Sequence, residues 1–112
     1  MKYKLTIYQS NTDRYSQHPL YMEIAQQAQQ AGLSGITAYQ GIMGYGSSSK
    51  LRNPLFWEFN LKYPVVIEAI DDEERLREFI KTITPVLESV PKGIMATLQP
   101  VEIVYQQFGK KL

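Results

Sequence analysis

The chain has 112 residues, of which 44% are hydrophobic and 21% charged, and its net charge is +1. This composition is typical of one globular domain, residues 1–112, that can bury a core without disulfides. The small net charge argues against a nucleic-acid partner, and the lack of cysteine excludes thiolate metal sites and cysteine nucleophiles.

The first third of the chain predicts a strand followed by a helix. Residues 2–9 alternate between apolar and polar side chains, the pattern of a strand with one buried face. From Pro19 onward, apolar residues recur at three- and four-residue spacing, which predicts a helix. Ser16 or His18 is the candidate N-cap of this helix, and Gly32 is its expected stop.

The middle of the chain combines a second strand with a long connection. Residues 34–43 predict a strand, and the glycines within it indicate a bulge or the close approach of another backbone. In the connection over residues 47–62, the segment 55–59 is strand-like and too apolar for a solvated loop. Its aromatic residues are candidates for binding a partner protein: Phe56, Trp57 and Phe59.

The last part of the chain predicts a strand, a helix and a strand. Residues 64–70 are apolar on both faces, as in a buried strand. Asp71 or Asp72 is expected to start the second helix, and Asp71 and Glu74 have the spacing of a capping box. Pro85 is expected to kink this helix or to end it early, and the last strand is predicted over residues 93–105.

The order of elements is strand, helix, strand, strand, helix, strand. Right-handed crossovers then give a ferredoxin-like βαββαβ α+β sandwich, a four-stranded antiparallel sheet with two helices on one face. The other face would carry several apolar side chains, and covering them favours an oligomer. They are Tyr8, Tyr39, Val66, Ile70, Ile103 and Tyr105.

Few residues suggest catalysis or metal binding. His18 is the single histidine, so one chain cannot assemble a catalytic triad or a histidine cluster. The acidic run at 71–74 is interpreted as stabilisation of a helix N-terminus. Arg14 either pairs with Asp13 in the first loop or contacts a ligand. We therefore predict a protein that is not an enzyme and has no catalytic and no metal-binding residues.

The location of the protein is predicted from what its sequence lacks. No run approaches the roughly 18 apolar residues of a membrane-spanning helix. The N-terminus alternates in polarity where a signal peptide has a continuous apolar run. We expect a cytoplasmic protein that does not insert into a membrane.

The stretch 40–52 holds three glycines within six residues, followed by three serines and the cations Lys50 and Arg52. Glycines let the backbone approach a ligand closely, while hydroxyl groups and cations suit an anion. A solvated hairpin loop is the alternative interpretation. The turn at Lys92 and Gly93 could likewise bind a phosphate or simply join a helix to a strand.

Several ordered blocks of sequence, taken together, resemble a known family. They lie at residues 7–8, 13–15, 19–21, 31–35, 41–46, 48–50 and 64–68. With them the chain resembles an uncharacterised family of bacterial and archaeal PII-like (GlnB-like) signalling proteins. The resemblance implies a homotrimer of ferredoxin-like subunits with clefts between them for an adenine nucleotide or a similar small anionic effector.

The resemblance also implies a role for each part of the site. Loop 47–62 would signal to a target protein such as a membrane transporter or an enzyme, with no permanent cofactor. The alternative is a nucleotide-independent interaction module that uses the aromatic segment 55–59. By position, the resemblance implies a loop base at Gly44, Tyr45, Gly46 and Ser47, with Val66 and Ile67 beside it and Lys92 and Gly93 at the phosphates. The candidates Lys50, Arg52 and Arg14 complete the predicted ligand site.

Overall fold

The computed structural model describes residues 1–45 and 62–110. The predicted aromatic strand at 55–59 lies outside the described residues. Neither helix described is long and apolar enough to cross a membrane. The elements in chain order are β1 Lys2–Ser10, β2 Arg14–Tyr15, β3 His18–Pro19, α1 Leu20–Gln30, β4 Ile36–Gln40, β5 Pro64–Asp72, α2 Glu73–Glu88 and β6 Met95–Pro100.

Four of these strands form one antiparallel sheet in the order β4-β5-β1-β6. Ile7 of β1 lies opposite Ile67 of β5 on one side and Ala96 of β6 on the other. The short strands β2 and β3 pair with each other inside the β1–α1 connection. The predicted ferredoxin-like sandwich is confirmed.

Both helices pack on one face of this sheet. β1 contributes Leu5 and Ile7 to the core, so the predicted alternation along this strand is confirmed. The core side chains with the least exposed surface are Ile7, Leu20, Ile24, Leu76 and Ile83. Each of them lies on a strand or on the apolar stripe of a helix, so the hydrophobic pattern determines which face of each element packs in the core.

The C-terminus of α1 follows the sequence prediction, whereas its N-terminus does not. Gly32 adopts φ 80°, and the amide of Leu33 donates to the carbonyl of Ala28, as in a Schellman motif. The predicted N-cap at Ser16 or His18 is wrong. Pro19 occupies the N-cap position without a side-chain hydrogen bond, because Ser16 lies in the β2–β3 turn and His18 pairs with Glu23.

For α2 the predicted start is confirmed, whereas the predicted capping box is wrong. Asp72 is its N-cap and makes no capping hydrogen bond, so Asp71 and Glu74 form no capping box. Asp71 instead accepts hydrogen bonds from Ser34. The helix continues past Pro85 to Glu88, so the expected early end does not occur, since its buried stripe packs on both sides of that residue. The alternative, a kink at Pro85, stays a prediction.

Two strands are shorter than predicted, because each ends where its neighbour in the sheet ends. β6 stops at Pro100, opposite Tyr3, because β1 begins one residue before Tyr3. β4 covers only five residues, since its partner β5 begins at Pro64.

The face without helices, called here the open face, carries several apolar side chains. Tyr8, Tyr39 and Ile70 are between 42% and 47% exposed, whereas Val66 between the two tyrosines is buried. Ile103 and Tyr105 lie beyond the end of β6. The expectation of an uncovered apolar face is therefore met by the strand residues.

Candidate functional site

The strand register brings three chain connections to one end of the sheet, called here the loop end. Ser10 pairs with Pro64, Gln40 with Val65, and Tyr8 with Met95. The end of β1, the end of β4, the start of β5 and the start of β6 therefore lie together. The predicted site residues described in these connections are Arg14, Gly44, Tyr45, Lys92 and Gly93.

The other predicted residues of the loop lie outside the described residues, within 46–61. They are Gly46, Ser47, Lys50, Arg52, Phe56, Trp57 and Phe59. Both described ends of this connection, at Tyr45 and Lys62, belong to the loop end.

The chain leaves β4 in close contact with the start of β5. The amide of Gly41 donates to the carbonyl of Pro64 at 2.7 Å. A Cβ atom at Gly41 would lie 2.8 Å from Cγ of Pro64, and one at Gly44 would lie 3.4 Å from the same atom. Glycine at 41 thus allows the close approach that the sequence predicted, although the neighbour is a proline ring and not a backbone.

Asn11 fastens the returning chain to the end of β1. Its backbone amide donates to the carbonyl of Tyr63 at 2.9 Å, and its side-chain Oδ1 accepts from the backbone amide of Tyr63 at 2.8 Å. Sequence analysis missed this residue. Its signal was an asparagine two residues after the predicted strand 2–9, where such side chains commonly bond to nearby backbone.

Asp13 organises the rest of the β1–α1 corner. Its Oδ2 accepts from the amide of Ser10 at 2.9 Å, and its carbonyl accepts from the amide of Leu20 at 2.9 Å. Arg14 is exposed and donates to the carbonyl of Gln17 at 2.7 Å. The expected ion pair between Asp13 and Arg14 does not form in the described residues, so that interpretation is wrong.

The short β2–β3 ribbon is held against α1 by His18. Nε2 of His18 lies 2.7 Å from Oε1 of Glu23, and the histidine ring meets Tyr15 edge-on at 6.1 Å. The hydrogen bond from Gln27 and then the one from His18 lower the pKa of Glu23. Glu23 is therefore an ionised acceptor near neutral pH, and it fixes the ribbon that carries Arg14.

Val66 and Ile67 lie on opposite sides of the sheet. Val66 is on the open face between Tyr8 and Tyr39, whereas Ile67 is 2% exposed in the helix-covered core. Only the Val66 side chain therefore borders an uncovered surface. On that surface Tyr39 donates to Glu68 at 2.8 Å, and this bond raises the pKa of Tyr39.

The α2–β6 turn carries Lys92 and Gly93, both exposed. Together with Arg14 it supplies two cationic side chains to the loop end. Guanidinium and ammonium groups bind phosphate and carboxylate groups. Among the described residues no group of three or more histidine, aspartate or glutamate side chains is placed to hold a metal ion.

Two buried polar side chains at the loop end have unpaired atoms. Both polar atoms of the Gln9 amide and Oδ1 of Asp13 lack hydrogen-bond partners among the described residues. An unpaired buried polar group costs about 1–3 kcal/mol. The Gln9 side chain therefore opposes folding at this position.

Replacing Gln9 by Met is expected to raise the free energy of unfolding by about 1 kcal/mol, because an apolar chain of similar length needs no partner. Urea denaturation measures the change. Gln40→Met is the matched control, since Gln40 is exposed on the same face of the sheet and its replacement should stay within about 0.5 kcal/mol. Loss of stability in Gln9→Met alone would show that the amide is paired in solution.

Comparison with known proteins identifies a family match and a relative of the chain. Residues 2–103 match the model of the DUF190 family, described as Uncharacterized ACR. A UPF0166 protein of Aquifex aeolicus is 31% identical over 101 residues, which cover 90% of this chain and 91% of the relative.

Two solved structures share the fold at low sequence identity. A DUF3240 protein of Shewanella baltica OS155 has a TM-score of 0.62 and 13% identity, and covers 98% of this chain and 97% of its own. The second is CPII of Thiomonas intermedia K12, a nitrogen regulatory PII-like protein solved with ADP, AMP and bicarbonate. It has a TM-score of 0.61 and 18% identity, and covers 87% of this chain and 84% of its own.

Proposed function

The chain belongs to the DUF190 family, and on this premise we propose that it is a PII-like regulatory protein. Its effector is an adenine nucleotide or a similar small anion, bound at the loop end of the sheet. One observation carries the proposal: the strand register puts the connections that contain Arg14, Gly44, Tyr45, Lys92 and Gly93 at one end of a fold shared with CPII. CPII was solved with ADP and AMP, which supports this class of effector.

Each part of the proposed site suits a phosphate-bearing ligand. Arg14 and Lys92 supply cations, to which the proposal adds Lys50 and Arg52. Gly44 and Tyr45 offer backbone that a ligand can approach closely, and the proposal adds Gly46, Ser47 and the backbone of Val66 and Ile67 to the site. Gly93 adds backbone beside Lys92.

Signalling follows from how the connection 47–62 is anchored. The Gly41–Pro64 and Asn11–Tyr63 hydrogen bonds fix its two ends to the sheet. A ligand that binds one arrangement of this connection more tightly shifts the population toward it. A nearly complete switch needs about 5.5 kcal/mol of differential binding.

The proposed assembly is a homotrimer that covers the open face. The proposed target of the connection 47–62 is another protein, such as a membrane transporter or an enzyme, and not a nucleic acid. The role is regulatory and involves no catalysis.

Thermal unfolding with AMP, ADP, ATP and cyclic nucleotides tests the proposal. A nucleotide at 100 times its Kd stabilises by about 2.7 kcal/mol per site, a shift of several degrees for a domain of this size. Lys92→Ala and Arg14→Ala are each expected to weaken binding roughly tenfold or more, because a hydrogen bond to a charged group is worth about 1.5–3 kcal/mol.

Lys81→Ala is the control, because Lys81 is also an exposed lysine but lies within α2 and away from the loop end. Its affinity should match that of the unaltered protein. If none of the nucleotides shifts the melting temperature, the sensor function fails and the nucleotide-independent interaction module becomes the better hypothesis.

A further inference from the structure

The connection from β1 to α1 begins with five consecutive polar residues, 9–13, called here the polar corner. Three of them are buried: Gln9, Ser10 and Asp13 are 6%, 7% and 3% exposed. They make up three of the five buried polar residues in the part of the chain that the structure describes. Since glutamine and aspartate are seldom buried unless they are paired, this corner needs a physical explanation.

The Asp13 carboxylate lies beside the peptide bond that joins Gln9 to Ser10, because its Oδ2 accepts from the Ser10 amide at 2.9 Å. Its other oxygen, Oδ1, has no hydrogen-bond partner among the described residues. Arg14 does not neutralise it, since the guanidinium donates to the carbonyl of Gln17 instead. A buried carboxylate with a free oxygen is costly, so Oδ1 favours a ligand that donates a hydrogen bond.

The Gln9 side chain points to the same side of the sheet. It follows Leu5 and Ile7 at two-residue steps and therefore faces the helices, and the carbonyl of Asp13 accepts from Leu20 at the start of α1. Neither Nε2 nor Oε1 of Gln9 has a partner among the described residues. The polar corner thus offers one donor group and two acceptors that the described chain does not use.

We infer that Gln9 and Asp13 recognise the base of the effector and select adenine. The N6 amino group of adenine donates hydrogen bonds beside a ring nitrogen that accepts one, and a glutamine amide pairs with this edge through its oxygen and its nitrogen. The second amino hydrogen is then available to Oδ1 of Asp13. This inference rests on the proposed function and names the residues that distinguish its ligand from other nucleotides.

Other small ligands fit the three unpaired atoms less well. Guanine and hypoxanthine carry the acceptor O6 where adenine carries the amino group, and this oxygen would face the Asp13 carboxylate without a proton between them. A metal cation would use both oxygens but would leave the Nε2 donor of Gln9 without an acceptor. Adenine alone among these satisfies both the donor and the acceptors.

The position of these residues couples recognition to the connection 47–62. Because both side chains are buried, the base reaches them only when the polar corner opens. Asn11 lies within this corner and holds Tyr63 through two hydrogen bonds. Opening the corner therefore shifts the end of the connection that the proposed function uses for signalling.

Calorimetric titration with ADP and with inosine diphosphate, IDP, tests the assignment. The two ligands share ribose and phosphates, so the cations of the site bind both alike. Wild type is expected to prefer ADP by about tenfold or more, and Gln9→Met should lose most of this preference through weaker ADP binding. Misfolding would not explain the loss, since this variant is expected to be more stable than wild type. Gln40→Met is the control and should keep the preference.

Asp13→Asn provides a second readout that a purely structural role would not move. Its single oxygen can accept from the Ser10 amide, whereas its nitrogen is a donor in place of Oδ1. A donor suits O6 of IDP and repels the adenine amino group, so the preference should shift toward IDP. Equal weakening of both nucleotides would contradict the role of Asp13 in selection.

Two results would overturn the inference in different ways. If wild type binds ADP and IDP equally, or if Gln9→Met binds ADP as tightly as wild type, the base is recognised elsewhere and the proposed function stands. If wild type binds neither nucleotide, nor any other adenine nucleotide, the proposed function fails and this inference fails with it. Should Asp13→Asn not fold, the comparison of Gln9→Met with Gln40→Met decides alone.

Discussion

Replacing Asp71 by Ala is expected to lower the free energy of unfolding by about 2–3 kcal/mol, because buried hydrogen bonds to a charged group contribute about that much. The carboxylate accepts from the amide and the hydroxyl of Ser34 at 2.9 and 3.1 Å, and from the amide of Asp72 at 2.7 Å. It thereby ties the α1–β4 turn to the junction of β5 and α2. Urea denaturation of the two proteins measures the loss.

Asp71→Asn separates hydrogen bonding from burial. Ser34 donates to one carboxylate oxygen and Asp72 to the other, so an amide with a single oxygen can accept on only one side. A substantial loss is therefore expected although the side chain keeps its size. Asp72→Asn is the control, since Asp72 is exposed and its ion pair with Lys2 is worth about 0–1 kcal/mol.

The stability difference between wild type and Asp71→Asn is also expected to depend on pH. Burial alone raises the pKa of the Asp71 carboxyl, but the hydrogen bonds from Ser34 and Asp72, with the charge of Arg75, outweigh it and leave the pKa below its ordinary 3.8. A carboxyl with a lowered folded-state pKa stabilises fully above the unfolded pKa and less as pH falls through the folded one. The stability difference between wild type and Asp71→Asn should thus be constant above about pH 5 and shrink below pH 4. A difference that grows with acid would contradict this assignment.

The Asp71 contacts show where prediction from sequence ends. The spacing to Glu74 is that of a capping box, and a local rule could not reveal that Ser34, 37 positions away, takes the carboxylate instead. The Gly32 stop was predictable because its cause is local: a left-handed residue that closes a helix. The type and order of the elements were predictable for the same reason, since the spacing of apolar residues and the positions of glycine and proline are properties of short stretches of sequence.

The ends of strands depend on neighbours and could not be predicted in this way. β6 ends at Pro100 because β1 begins only one residue before Tyr3, the partner of Pro100, and the sequence of β6 alone does not contain this register. The candidate site was likewise predictable only in part. Composition pointed to Lys92 and the glycines near residue 44, but the fold was needed to show that they share one end of the sheet. The partner of Asn11 and the unpaired amide of Gln9 likewise required the structure, although the position of Asn11 after a strand was a signal in the sequence.

Gly41→Ala is expected to lower the free energy of unfolding by about 1–3 kcal/mol, the usual cost of forcing an extra carbon into a packed site. The new Cβ would lie 2.8 Å from Cγ of Pro64, and a proline ring cannot rotate away. The 2.7 Å hydrogen bond from Gly41 to the Pro64 carbonyl holds the two segments at this distance. The clash between the new Cβ and the proline ring can therefore be relieved only if the ends of β4 and β5 separate.

Gly35→Ala is the matched control, since a Cβ there meets nothing within 4 Å and the φ of Gly35 is not in the left-handed range. It should stabilise slightly, by about 0.4–1 kcal/mol, through the unfolded state. Urea denaturation gives both values, and hydrogen exchange at the residue 41 amide reports separation of the strand ends. Because Gly41 anchors the connection that the proposed function uses, Gly41→Ala should also weaken nucleotide binding while Gly35→Ala should not. If Gly41→Ala and Gly35→Ala are equally stable, and the residue 41 amide exchanges no faster in either than in wild type, then β4 leaves the sheet without pressing on Pro64.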